Sequence, residues 1–216
     1  MFGASQRTDI RRGIAPRLEK LFAHIWRAVT EDFAKLPDYI PIVELVAQHS
    51  PLAWLSLASL YEEEGSQGSI EKAKVCVRQY LEAAGNSASS FEWKRLADLC
   101  EKTSDFGGAV HALIEMCEHS VVPFFVVSST ANKLNNLFRS GALQVDNDEK
   151  RILVRRLESV MSERLREANA DDYSRLAWLN LHLKDEARAK QLTEEGLALD
   201  GENEHLCRLA EKLSVF

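Results

Sequence analysis

Cys117 and His119, with His111 shortly before them, place a thiol and two imidazoles within one short stretch, and these are residue types that hold zinc. A structural zinc needs a second pair of ligands at close spacing. The sequence supplies none, because Cys76, Cys100, Cys117 and Cys207 form no C-x2-C pair. Cys100 and Cys117 fall instead at apolar positions of a helical pattern, where free cysteine behaves as a small hydrophobe. Packing is therefore the expected role of both. Asp146-x-Asp148 opens like a calcium loop, but Arg151 stands where the turn needs glycine and Leu157 where a bidentate glutamate closes the shell. No phosphate-cradling glycine loop, H-E-x-x-H helix or G-x-S-x-G elbow is present. The sequence thus leads us to expect no catalytic residues, no metal and no cofactor. His24, His49 and His205 have no partner nearby in sequence and read as surface residues.

Charge offers two further candidates. Lys150, Arg151, Arg155, Arg156, Arg164 and Arg166 form the one candidate nucleic-acid face. Asp148, Glu149, Glu158, Glu163 and Glu167 are interleaved with them and leave the segment close to neutral. The whole chain carries a net charge of −6, which repels a phosphate backbone. Solvated i, i+4 pairs are the expected use of these side chains, and nucleic acid is not an expected partner. The run Glu62-Glu63-Glu64 at a helix end reads as solvated surface, although charge of that sign opposes the helix dipole and could draw a basic partner.

The elements that would position any of these residues are helical. A chain of 216 residues with 45% hydrophobic and 28% charged residues is long enough to bury a substantial core and is not of disordered composition. Trp54-x2-Leu57-Ala58-x2-Tyr61 is followed by Trp93-x2-Leu96-Ala97-x2-Cys100 and then by Tyr173-x2-Leu176-Ala177-x2-Asn180. Ala109 follows Trp93 by 16 residues, and Ala189 follows Tyr173 by 16. Small residues at such positions let two helix backbones approach closely while large neighbours fill the space beside them. The pattern resembles the tetratricopeptide (TPR) repeat. Near its end the chain reads Gly196-Leu-Ala-Leu-Asp-Gly201-x-Asn203, where many TPRs have A-L-x-L-D-P-x-N, and Thr193 stands where an aromatic is usual. The stretch from Tyr173 to Asn203 is also similar to C-terminal repeat segments of large bacterial nucleotide-binding signalling and defence proteins, which would make this chain the sensor or scaffold end of a longer protein.

The fold expected is an all-α, TPR-like α-solenoid of about four antiparallel helix pairs with terminal capping helices. A flexible leader at 1–13 precedes an N-terminal helical cap at 14–50. In that cap Leu18, Leu21, Phe22, Ile25, Trp26, Val29 and Phe33 share one face. Pro37 is expected to end this helix. A shorter one follows with Ile40, Val43, Leu45 and Val46, and Pro41 in its first turn. Repeats and a C-terminal capping helix with Leu206, Leu209 and Leu213 occupy 51–213. In the first repeat the second helix is expected to run from an N-cap at Ser69 to Ala84, with Gly85 as its stop and 65–68 as an enlarged turn. The third unit is irregular. It begins near Pro123, and its second helix is expected over 148–168 with Ile152, Leu153, Leu157, Val160, Met161 and Leu165 on one face and an Asp146/Glu149 capping box. Residues 121–127 also have β propensity, so a buried strand competes there.

The TPR resemblance implies a non-enzymatic protein-interaction or assembly module whose first helices line a concave groove. The inward positions would be Leu55 and Ser59, Lys94 and Asp98, then Ser174 and Trp178. The partner-binding set expected is Leu55, Lys94, Asp98, Trp178, Leu181 and His182, with Trp178 either an anchor in the groove or a packing residue against the terminal helix. Only Lys94 suits a clamp for a C-terminal carboxylate, and Asp98 opposes it. The expected partner is a protein or peptide, with a helical-repeat RNA binder and a self-associating homo-oligomer as alternatives. No apolar run is long enough to span a bilayer, no signal peptide is legible at the N-terminus, and the cysteine usage fits a cytoplasmic setting.

Overall fold

The computed structural model describes residues 17, 20–21, 23–47, 50–119 and 121–213. The leader at 1–13, the Leu18 and Phe22 positions of the first apolar face, and His49 lie outside the described residues. Helices account for the regular structure, and no strand occurs among the described residues. None of the described helices is long and apolar enough to cross a membrane. Two compact units are present, one ending at Ser87 and the other beginning at Ala88.

In the first unit, helical residues 23–31 (α1) bury Ile25 and Val29. The chain leaves α1 at Asp32, whose Oδ1 accepts from the Ala34 N–H at 3.1 Å and starts a single 3₁₀ turn. Pro37 therefore does not end α1. It lies in the first turn of α2 (Leu36–Ala47), where its fixed φ suits a helix and its missing N–H leaves no bond unmade. Pro41 then sits inside α2 rather than in its first turn. The buried face of α2 is Leu36, Val43 and Ala47, while Leu45 points outward.

α3 (Leu52–Glu64) and α4 (Gln67–Ala84) form the first helix pair. Leu57, Ala58 and Tyr61 on α3 are buried, as is Ala73 on α4. Gly65 reverses the chain at φ +77°, a left-handed conformation that costs an L side chain about 1 kcal/mol or more. The N-cap of α4 is Ser66, not Ser69. Ser66 has the extended backbone that a cap requires, and its Oγ accepts from the Ser69 N–H at 3.2 Å. The residues inserted relative to the later repeats thus extend the start of α4 instead of enlarging the turn. Gly85 caps its C-terminus as expected.

The second unit contains α5 (Ser90–Lys102), α6 (Phe106–Cys117), α7 (Phe124–Ser140), α8 (Asn147–Ser162), α9 (Ala170–His182), α10 (Glu186–Leu199) and α11 (Glu204–Lys212). α5 packs on α6 and α9 on α10 most extensively. Ala97, Ala109, Ala177 and Ala189 are all fully buried, as close approach of paired backbones demands. Both pairs turn in the same way. Ser104 and Lys184 adopt φ +59° and +61°, and the next residue, Asp105 or Asp185, caps the second helix by accepting from the Gly108 or Arg188 N–H. Helix pairs stack in chain order within this unit: α7 lies against α6 and α9, and α11 against α9 and α10. This is the arrangement of a TPR-like solenoid closed by a capping helix.

The middle pair departs from the others. α7 makes more extensive contact with α9 than with its own partner α8. Residues 121–127 do not form a strand. Pro123 cannot donate to a ladder, and its carbonyl instead accepts from the Val126 N–H at 3.0 Å to open α7. α8 ends at Ser162, short of the expected 168, and a 3₁₀ turn follows. Asp146 caps α8 through the Asp148 and Glu149 N–H groups at 2.9 and 2.8 Å. The reciprocal half of the capping box is absent, because Glu149 pairs with His111 Nε2 at 2.9 Å. Leu153, Val154, Leu157 and Met161 make the buried face of α8, and Ile152 is exposed. Thr193, at the position of a usual aromatic, is fully buried and donates to the Ala189 carbonyl at 2.8 Å.

Candidate functional site

Asn132, Asn135, Asn136 and Arg139 recur at helical spacing along one face of α7, and Ser174, Trp178 and His182 do the same along α9. These two faces line a cleft of about 360 Å³, and His205 at the start of α11 reaches it as well. The floor is fixed by hydrogen bonds between helices. Asn135 Nδ2 donates to the Arg175 carbonyl at 2.8 Å, which orients the carboxamide. Asn135 Oδ1 is the one buried side-chain acceptor among the described residues that has no hydrogen-bond partner. Beside it Arg175 is occupied, donating to Asp172 at 2.7 Å and to Ser128, and Ser128 donates to the same carboxylate. Asp172 also closes the capping box of α9 with Asn169. Asp171, at the far end of the cleft, accepts from Asn203 Nδ2 at 2.8 Å and so ties α9 to the cap of α11.

The other end is cationic and aromatic. His182 stacks obliquely on Phe138, with centroids 5.3 Å apart. Lys150 of α8 lies 4.6 Å from the Phe138 ring centroid, and Lys212 of α11 lies 5.0 Å from that of Trp178. Burial, reinforced by Lys150, Lys212 and Arg139, pushes the His182 imidazole down to about 4. It is therefore neutral near pH 7 and adds no charge to this end of the cleft.

The expected site residues fall in different places. Trp178 and His182 line the cleft. The indole also meets Lys212 of the terminal helix, so its packing there does not withdraw it from the cleft wall. Leu181 is half-buried and does not line the cleft. Lys94 and Asp98 pair with each other along α5 at 2.5 Å and are likewise not on its walls. Leu55 belongs to the first unit, half-buried on α3. That unit has its own cleft, where Trp26 and Thr30 of α1 face Ser56 and Ser59 of α3.

The asparagines and Arg139 of α7 were missed by the repeat pattern, because the middle unit lacks a leading tryptophan to set its phase. N-x2-N-N-x2-R at helical spacing was the available signal.

The chemistry weighed at the outset resolves into packing and pairing. Cys100 and Cys117 are buried, and burial pushes the Cys117 thiol up while Thr130 lies 3.4 Å from its sulfur. No group of three or more potential metal ligands occurs among the described residues. Four of the five arginines of the basic segment are engaged, Arg166 not being among them. Arg151 pairs with Asp148, Arg155 with Glu158 and Asp185, Arg156 with Glu115 and Glu118, and Arg164 with Glu167. The pairs are i, i+3 or cross-helix rather than the expected i, i+4. Two arginines from different helices, Arg155 and Arg188, converge on the buried Glu158.

No family model matches the chain, and no curated protein matches it. Among solved structures it is similar to the C-terminal part of a TPR repeat-containing protein from Cytophaga hutchinsonii. The identity is 12%, the TM-score is 0.37, and the match covers 87% of this chain and 77% of that one.

Proposed function

We propose that this chain is a non-enzymatic interaction module that holds a protein segment in the cleft between α7, α9 and α11. The observation that carries this reading is the lining itself. A large aromatic, Trp178, sits among carboxamides that both donate and accept, on rigid helices. Such a surface anchors a side chain and hydrogen-bonds a main chain. RNA binding is disfavoured by the net charge of −6 and by the ion pairing of Arg151, Arg155 and Arg156 on α8. Attachment to a signalling domain in a longer protein is compatible with this role.

The test is selection of peptides from a displayed random library on the purified chain. Recovered peptides are then titrated against the wild type and against Trp178→Ala, Leu181→Ala and the Lys94→Ala/Asp98→Ala pair. Loss of affinity of about tenfold or more in Trp178→Ala, with unchanged helical content, supports the cleft. The other variants decide whether Leu181, Lys94 and Asp98 extend the surface. Peptides whose affinity ignores Trp178 would remove the reading.

A further inference from the structure

Within a chain of net charge −6, one cation on the cleft wall, Arg139, and two beside it, Lys150 and Lys212, are not neutralised by the fold itself. Arg139 bonds only the Asn136 carboxamide, at 2.9 Å, while Lys150 and Lys212 rest on aromatic faces. Among the described residues no carboxylate pairs with any of the three. The arginines of α8, by contrast, are all matched. Arg139 and Lys212 stand at the C-terminal ends of α7 and α11, where the helix dipole favours positive charge. That accounts for their tolerance but not for their convergence with Lys150 around a neutral histidine.

We infer that the cleft takes an acidic peptide segment: its carboxylates face Arg139, Lys150 and Lys212, and its main chain hydrogen-bonds the asparagines of α7. This rests on the peptide-holding role proposed above and names the partner's chemistry. A peptide fits better than another polyanion because Asn132 and Asn136, exposed on the face of α7 that lines the cleft, offer carboxamide donors and acceptors to a main chain that carries both at every residue except proline, whereas phosphodiester groups carry acceptors alone. Asp171 at the opposite end sets a polarity, since it repels acidic residues there and directs them toward His182.

The experiment measures binding of a fluorescein-labelled Glu-Ala repeat peptide by anisotropy, beside the same peptide with Gln for Glu and an oligouridylate of equal length. The variants are Arg139→Gln/Lys150→Gln/Lys212→Gln, at surface positions that leave the core untouched, and Asn132→Ala/Asn136→Ala. The Glu peptide should bind about tenfold more tightly than the Gln peptide, and the triple variant should lose about that factor for the Glu peptide alone. The asparagine variant should weaken both peptides alike. The Glu peptide should also raise the His182 titration midpoint seen by proton NMR. Equal binding of the Glu and Gln peptides overturns the acidic specificity but leaves a peptide cleft standing. Binding of the oligouridylate with neither peptide bound overturns both. So does failure to bind any of the three while the chain self-associates in sedimentation.

Discussion

Gly196 is the position where the packing of the second unit can be tested with one methyl group. A Cβ built there would lie 2.7 Å from Leu206 Cδ1 and 2.8 Å from Tyr173 Cβ. Leu206 is fully buried in α11 and has no room to swing away. The Tyr173 Cβ is fixed to the backbone of α9, so α10 must move. Two effects compete. Gly→Ala inside a helix stabilises by about 0.5–1 kcal/mol through backbone entropy, and overpacking a filled core costs about 1–3 kcal/mol. With contacts this short on two sides, overpacking should win, for a net loss of about 1–2 kcal/mol. For a unit of this size that lowers Tm by roughly 2–8 °C. Gly68→Ala is the control, since nothing lies within 4 Å of a Cβ there in the first turn of α4. The same chemical change should then stabilise, by up to about 0.5 kcal/mol. Thermal and urea melts followed by circular dichroism, with hydrogen exchange on α10 and α11, read both. A higher Tm for Gly196→Ala would refute the close approach of α9, α10 and α11.

Three further outcomes are expected. Lys184→Val, placing a β-branched residue at φ +61°, should cost about 1–2 kcal/mol in urea unfolding, whereas Lys184→Gly should not destabilise. Glu158→Ala leaves Arg155 and Arg188 without their shared carboxylate. Both arginines reach solvent, so the loss should be about 2 kcal/mol, below that for a sealed pair. His182, with a midpoint of about 4 in the folded chain against about 6.5 unfolded, binds fewer protons folded than unfolded between those values. Stability therefore rises with pH across that window and is lost as pH falls through it. Discounted for partial solvent access, the contribution is about 1–2 kcal/mol. Urea midpoints against pH should show this slope in the wild type and its absence in His182→Asn.

The helix pairs were legible because their determinants are local. The leading aromatic and the paired alanines each lie within a few residues of the element they define, whereas the caps at Ser89, Asp105 and Asp185 were not read from the sequence although they are equally local. At the start of α4 the sequence pointed to Ser69 as the N-cap, and the structure places the cap at Ser66. Backbone conformation decided it. The cleft was half legible. Trp178 and His182 follow from the phase of the last repeat, which matches the TPR pattern well. The asparagine face of α7 does not, because N-x2-N-N-x2-R marks a polar helix face but not the docking of α7 on α9 that makes it a cleft wall. Lys150 and Lys212 reach the same end of the cleft from α8 and α11, and only the fold brings them to His182.

The most direct test of the central claim is amide chemical-shift mapping of the chain during titration with the acidic peptide. The account predicts perturbations on α7 around 132–139, on α9 around 174–182 and at the two ends of α11, saturating together, with α8 beyond its first turn unaffected. Shifts confined to other surfaces, or an absence of shifts at concentrations where selected peptides bind, would contradict it.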